Sequence, residues 1–326
     1  MAERATISQV VQIGVETTPG TAVAAARRLQ ALSIEPSVSA DVNVFRPMGQ
    51  KYPALASLGR EWVEADLSGR ATYDEIVYPL SSVLHTATPV VTGTGQRWTF
   101  NPSSTAEDTP RTFTVEVGSA FRAHRFAYGL VNEFGIAFSR DGVELSGSMI
   151  GRAIQDGVAL TAAPTTIPLV PILPTQVDVF MDTTYAALGT TKLGRLLSAE
   201  FSLGGRFGPL WVLDSAQPGF VAHVEQEPDA TLELLAEADA QAMALAVGAL
   251  RDGTTRFFRI RATGPVIGAG PTTHSFSLDV AAKVESPGDF SDEDGVYAIG
   301  PTLRIVHDSG WGKAFSCEVV NTLTAL

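Results

Sequence analysis

Five histidines, one cysteine and several acid clusters are the residues with chemistry to offer, and their spacing organises none of it. His85, His124, His223, His274 and His307 stand apart, with no His-Glu-x-x-His or His-x-His arrangement to hold a metal, so each reads as a surface or turn histidine. Asp289, Asp292, Glu293 and Asp294 precede Gly295, but their spacing misses the EF-hand pattern by a position, and a solvated acidic turn is the better reading. Glu64 and Asp66 share a strand face, where a carboxylate pair could act as acid and base, with no partner pocket in evidence. Gly93-Thr94-Gly95 lacks the third glycine of a dinucleotide loop, and neither a Gly-x-Ser-x-Gly elbow nor a Walker sequence occurs. Arg256, Arg259 and Arg261 form the densest basic stretch; salt bridges to the abundant acids are the simpler reading than phosphate contact. The expectation is therefore a chain without catalysis, metal or cofactor. Lone Cys317 excludes an internal disulfide and a cysteine zinc cluster, and reads as a small buried hydrophobe in a strand.

The elements that would position any site are mainly β. Residues 62–67, 113–117, 143–146, 258–261 and 275–280 alternate apolar and polar side chains, the period of a sheet with one buried face. Arg140-Asp141-Gly142, Asp252-Gly253 and Asp308-Ser309-Gly310 supply turn chemistry where hairpins would reverse. Two helices interrupt this pattern. Thr72-x-x-Glu75 is a capping-box signature ahead of Tyr73, Ile76, Val77, Leu80, Val83 and Leu84, with Pro79 expected to kink or shorten the helix. Residues 237–250 are rich in alanine, with Met243, Leu245, Val247 and Leu250 apolar.

The chain also repeats itself. Glu16-Thr17-Thr18 and Asp182-Thr183-Thr184 each follow an apolar run and lie 166 positions apart, and Leu32-Ser33-Ile34-Glu35 recurs 165 positions on as Leu197-Ser198-Ala199-Glu200. Phe134 and Ile136 match Leu303 and Ile305, and Leu145-Ser146 matches Phe315-Ser316, at offsets of 169 and 170. Four matches in one order at nearly constant offset imply two tandem domains, residues 1–156 and 176–326, joined by a proline-rich linker at 157–175 that carries Pro164, Pro168, Pro171 and Pro174. Each copy is large enough to bury a core unaided, and 45% hydrophobic residues supply it.

Two segments combine breakers with large apolar groups: residues 41–61, with Phe45, Met48, Tyr52 and Leu55, and residues 204–221, with Phe207, Leu210, Trp211 and Phe220. Such groups must be hidden under the parent domain or against another subunit; their recurrence at one place in both copies favours subunit contact. The net charge is −12, with 16 acids and 13 bases in residues 1–160 (−3) and 19 acids and 10 bases in the remainder (−9). An acidic surface disfavours non-specific nucleic-acid binding. The polar opening lacks an export-signal pattern, and no apolar run approaches the roughly 20 residues of a membrane span, so the expectation is a protein made without translocation and lacking a membrane anchor.

Gln12-Ile13-Gly14-Val15-Glu16-Thr17-Thr18-Pro19-Gly20-Thr21-Ala22-Val23-Ala24-Ala25, followed by Arg28-Leu29 and Leu32-Ser33-Ile34-Glu35-Pro36, resembles the opening of the tail tube (major tail) proteins of long-tailed bacteriophages. The resemblance is most specific over residues 10–36 and weaker through 62–84. It implies β-sandwich or barrel domains, each with one flanking helix, in subunits that close into rings and stack into a hollow tube for genome passage; the type VI secretion tube is similar. Rings of six domains would need three two-domain chains. The implied setting is the virion tail, assembled in the host cytoplasm, with tape measure and tail terminator proteins as partners and DNA passing without specific binding. An acidic lining would let DNA slide, and Glu64, Asp66, Thr114 and Glu116 are candidates to face that lumen. Other readings are a tail ring protein such as a distal tail or tail terminator protein, a β-sandwich carbohydrate-binding or adhesion module, and a hydrolase whose site assembles only in three dimensions.

Overall fold

A computed structural model describes residues 8–214 and 219–326, and these form a mainly β protein. Strand Val10–Val15 pairs antiparallel with Phe113–Ser119, which pairs in turn with the first half of Arg122–Phe138. The second half of that long strand pairs with Val143–Gly151, then come Leu55–Arg70 and, last, Leu32–Phe45. The same succession recurs further along the chain. Val177–Asp182 pairs with Arg256–Val266, that strand with Thr273–Ser286, and then follow Thr302–Ile305, Asp229–Glu237 and Leu196–Gly204. The two runs share one sheet, because Leu196–Gly204 also pairs with Arg122–Phe138, setting Phe201 opposite Ile136.

The acid-Thr-Thr triplets close or follow the first strand of each run, and the Leu-Ser-x-Glu quartets lie in Leu32–Phe45 and Leu196–Gly204. The echo near the C-terminus does not carry over in the same way. By pairing, the place of Val143–Gly151 is taken by Val296–Ile299 and Thr302–Ile305 together, while Phe315–Asn321 lies along Ser275–Val280 as Gln155–Val158 lies along Ala123–Arg125. The match of Leu145-Ser146 to Phe315-Ser316, and of Phe134 and Ile136 to Leu303 and Ile305, is thus one of period and not of place. Any two half-buried strands share that period.

The first helix spans Val77–Val83 and is buried along its whole length. Thr72 Oγ1 accepts the Glu75 N–H at 3.1 Å as the capping signature requires. The reciprocal half of the capping box is missing. Glu75 instead turns its fully buried carboxylate to the N–H groups of Gln30 at 2.6 Å, Leu32 at 2.9 Å and Ala31 at 3.0 Å, tying the helix entry to the start of the Leu32 strand. Burial pushes its pKa up, opposed by those bonds. Pro79 falls in the first turn, where an N–H would lack an intrahelical acceptor, so the seven-residue helix accommodates it.

The second helix begins at Ala240, because Glu237 still belongs to a strand; Asp239 caps it by accepting the N–H groups of Gln241 and Ala242, both at 2.9 Å. Its middle, Ala244–Ala249, is π-helical, and Leu250–Asp252 ends at Gly253 with φ 61°. Asp252-Gly253 is therefore a helix C-terminus, where glycine takes the left-handed conformation, and not a hairpin turn. Arg140-Asp141-Gly142 does reverse a hairpin, between Phe138 and Val143.

Residues 157–175 are packed along the first run. Thr165–Thr166 pairs parallel with Arg27–Arg28, Tyr73 N–H donates to Val170 O at 3.0 Å, and Ile167 and Ile172 are buried between the prolines. The C-terminal strand is locked in the same region: Asn321 accepts from Trp98 Nε1 and donates to Tyr73 O, each at 3.0 Å.

Candidate assembly surfaces

Beyond Ala40 the paired strands Leu32–Phe45 and Leu55–Arg70 leave the body as a two-stranded arm, with a register shift between Ala40 and Val42. Every residue from 42 to 60 is exposed. Phe45, Tyr52, Leu55 and Leu58 are 55–70% exposed and Met48 fully so, at a tip closed by Gln50 N–H donating to Pro47 O and by Gly49 at φ 77°. A lone ribbon of two strands is marginal in water, and one with apolar groups displayed along its length calls for a covering surface. Arg60 and Asp41 close an ion pair at 2.6 Å at the base.

The second breaker-rich segment forms a smaller arm, Phe207–Leu210 paired with Ala222–Glu225. Two of its expected contact residues are spoken for. Phe207 and Phe220 are buried with Tyr128 and Leu130 in a small core of their own, the Tyr128 and Phe220 rings meeting edge-on at 4.8 Å. They are packing residues of the parent chain, because breaker-rich backbone here folds back on Arg122–Phe138. Leu210 is exposed, together with Val212, Leu213 and Val224, and Trp211 is half-buried. Trp211, just past the Leu210 end of the smaller arm, meets Trp62 edge-on at 5.7 Å and lies 5.0 Å from the Arg60 guanidinium, so the far end of that arm touches the base of the larger one. Arg206, 2% exposed, roots the second arm by pairing with Asp108 and with Glu225, the latter at 2.9 Å.

One face of the shared sheet is open and acidic. Glu64 and Asp66 are exposed on it, as are Glu133 and Glu144. Asp66 stands opposite Glu35, and Glu200 opposite Glu233, so each run places two carboxylates in direct cross-strand register between its last two strands. Asp66, Glu133, Ser146, Ser148, Ser202 and Thr231 share a shallow depression of about 440 Å³. Like charges directly opposite are unfavourable, which makes their recurrence notable. Glu233→Gln is expected to raise stability by about 0.2–1 kcal/mol in a urea titration at low salt, and by less at high salt.

Thr114 and Glu116 do not belong to that face. They are 0% and 1% exposed, because Phe113–Ser119 is covered on both sides. Thr114 Oγ1 donates to Glu16 at 3.0 Å, and Glu116 accepts the N–H and hydroxyl of Thr161 at 2.8 and 3.0 Å. Glu16 is itself a buried organiser, taking Gly20 N–H at 2.7 Å, Thr112 Oγ1 at 2.8 Å and Tyr128 N–H at 2.9 Å. Asp182 does the same work in the second run, accepting Gly189 N–H at 2.9 Å and Thr190 N–H and hydroxyl at 3.1 and 2.8 Å. The acid-Thr-Thr triplets signalled this pair, whose role lies in fixing the turn after the first strand.

Burial raises the Asp182 pKa, but the bonds from Thr191, Thr190 and Gly189 outweigh it and hold the group below the usual carboxylate value. A depressed folded-state pKa contributes stability above the unfolded value and loses it as pH falls through the folded one. Asp182→Ala should therefore cost about 2 kcal/mol near neutral pH in chemical unfolding, a deficit that shrinks toward strong acid.

The basic stretch and the acidic turn are occupied locally. Arg259 makes a two-pronged pair with Asp279 at 2.7 Å and Arg261 reaches Asp178 at 3.7 Å. Asp292 accepts Gly295 N–H at 2.8 Å and Asp294 pairs with Arg140 at 2.9 Å, so the acidic stretch is a hairpin turn. Among the described residues no three His, Cys, Asp or Glu side chains converge as a metal site, and no helix is long and apolar enough to cross a membrane. Cys317 is buried, and burial pushes its thiol pKa up. The chain matches no protein-family model and no curated protein.

Proposed function

We propose that this chain is a structural subunit that polymerises, without catalysis, into a hollow tube of the phage tail-tube kind, through which DNA passes. The observation that carries the reading is the strand-pairing order that occurs twice, in residues 10–151 and 177–305, with an arm leaving each run between its last two strands. On this reading residues 1–156 and 176–326 are tandem β-sandwich or barrel domains of one kind, joined by the packed connector 157–175. Two domains per chain give three chains a pseudo-sixfold ring. The first arm, with Phe45, Met48, Tyr52 and Leu55, and the exposed part of the second, with Leu210, reach the next subunit.

The acidic face supports an inward orientation. Glu35 with Asp66 and Glu200 with Glu233 would line the channel and keep DNA from adhering, and the register cost they carry has no evident return within a single chain. Tape measure and tail terminator proteins would meet the tube inside and at its end.

Sedimentation over a wide range of protein concentration and salt tests the reading. Rings and longer polymers of a three-chain unit are expected; a species that stays monomeric throughout would overturn it, and a polymer that stops at one ring would favour a distal tail or terminator role.

A further inference from the structure

The junction that joins the two runs within one chain has an open counterpart at each end of the molecule. Inside the chain, residues 199–203 of Leu196–Gly204 pair with residues 134–138 of Arg122–Phe138. The strand equivalent to Leu196–Gly204 in the first run is Leu32–Phe45, whose ladder partner among the described residues is Leu55–Arg70 alone; Glu75 takes the Leu32 N–H, and beyond Leu32 the outer edge is free of strand partners. The place of residues 134–138 is taken in the second run by Phe290–Glu293, the outward strand of a hairpin, which has no ladder partner among the described residues other than Val296–Ile299.

The surroundings of the two free edges are complementary. Beside Leu32–Pro36 runs a groove of about 800 Å³, walled by Val10, Val117 and His124. The corresponding groove beside Leu196–Ala199, walled by Val177 and Val179, is cut to about 230 Å³, and Phe138–Arg140 stand in it. At the other end, cross-strand partners Phe290 with Ile299 and Asp292 with Tyr297 share one face; Ile299 is covered by Ala242 and Ala246, while Phe290 and Tyr297 stack at 4.8 Å and are 48% and 61% exposed. An aromatic pair at one edge and an open groove at the other are what a head-to-tail contact requires.

We infer that the free edge of Leu32–Phe45 receives Phe290–Glu293 of a second copy of this chain, repeating between molecules the sheet junction found within one. Carrying the internal register across sets Ile34 opposite Asp292, Glu35 opposite Ser291 and Pro36 opposite Phe290 of the neighbour. Pro36 brings no N–H and the Leu32 N–H on that side is taken by Glu75, so the Ile34 N–H and the outward carbonyls carry the ladder. This rests on the polymer reading and names the surface by which its chains meet side to side.

Cross-linking distinguishes the two ideas. Full-length chain with Glu35→Cys and Ser291→Cys, assembled and oxidised, should give covalent dimers and closed trimers on a denaturing gel, which neither single variant gives; Cys317 is buried and does not compete. The pair Ala137→Cys with Glu200→Cys, opposite each other within one chain, is the positive control. Assembled rings or tubes in which the control pair links and the 35–291 pair does not would overturn the inference and leave the polymer reading standing. A wild-type chain that never assembles would overturn both. Phe290→Asp, at an exposed position, should raise the protein concentration needed for assembly at least tenfold without altering the circular dichroism spectrum; unchanged assembly would count against the inference.

Discussion

Replacing residues 46–54 by a two-residue Asn-Gly turn is expected to leave a folded chain that has lost most of its capacity to polymerise. No residue between 42 and 60 is buried, so the deletion removes nothing from the core and the urea midpoint should stay within error. It does remove Met48 and Tyr52, while Phe45 and Leu55, already cross-strand partners, stay paired across the new turn. Burying a side chain of this size stabilises by about 1.5–3 kcal/mol. Losing two such contacts corresponds to a rise of at least about 100-fold in the concentration at which light scattering reports polymer. Undiminished polymerisation would show that the arm has another purpose.

The second large effect concerns the root of the smaller arm. Arg206 is buried against Asp108 and Glu225, whose side chains are 9% and 20% exposed. Arg206→Ala leaves two carboxylates facing a space without a counter-charge and should cost about 3–5 kcal/mol in chemical unfolding. Converting all three together, Arg206→Met with Asp108→Leu and Glu225→Leu, should cost far less, because no charge is then left stranded. Equal losses in the single and triple variants would mean that packing, not charge, governs this site.

What could be read from the sequence follows from where one physical cause acts alone. Residues 62–67 alternate because one side of their strand is buried and the other is wet, and there Glu64 and Asp66 are exposed as the period requires. Thr114 and Glu116 obey the same period and are buried, because the second side of their strand is covered by Glu16 and Thr161, whose approach no local pattern encodes. Phe207 and Phe220 were equally opaque: their partners Tyr128 and Leu130 come from a distant strand. Glu75 completed a local motif on paper, yet in the fold its carboxylate serves the backbone of residues 30–32, which the motif does not mention. The acid pair Glu200 and Glu233 needed the register of two strands before it could be recognised at all.

The most direct test of the central claim is a cross-sectional image of the assembled protein by electron cryomicroscopy. The account predicts a hollow ring of three chains with near-sixfold outline, the carboxylates of Glu35, Asp66, Glu200 and Glu233 turned to the bore and the arm at residues 42–60 engaged with a neighbouring chain. A solid or solitary particle, or a ring with that acidic face turned outward, would contradict it.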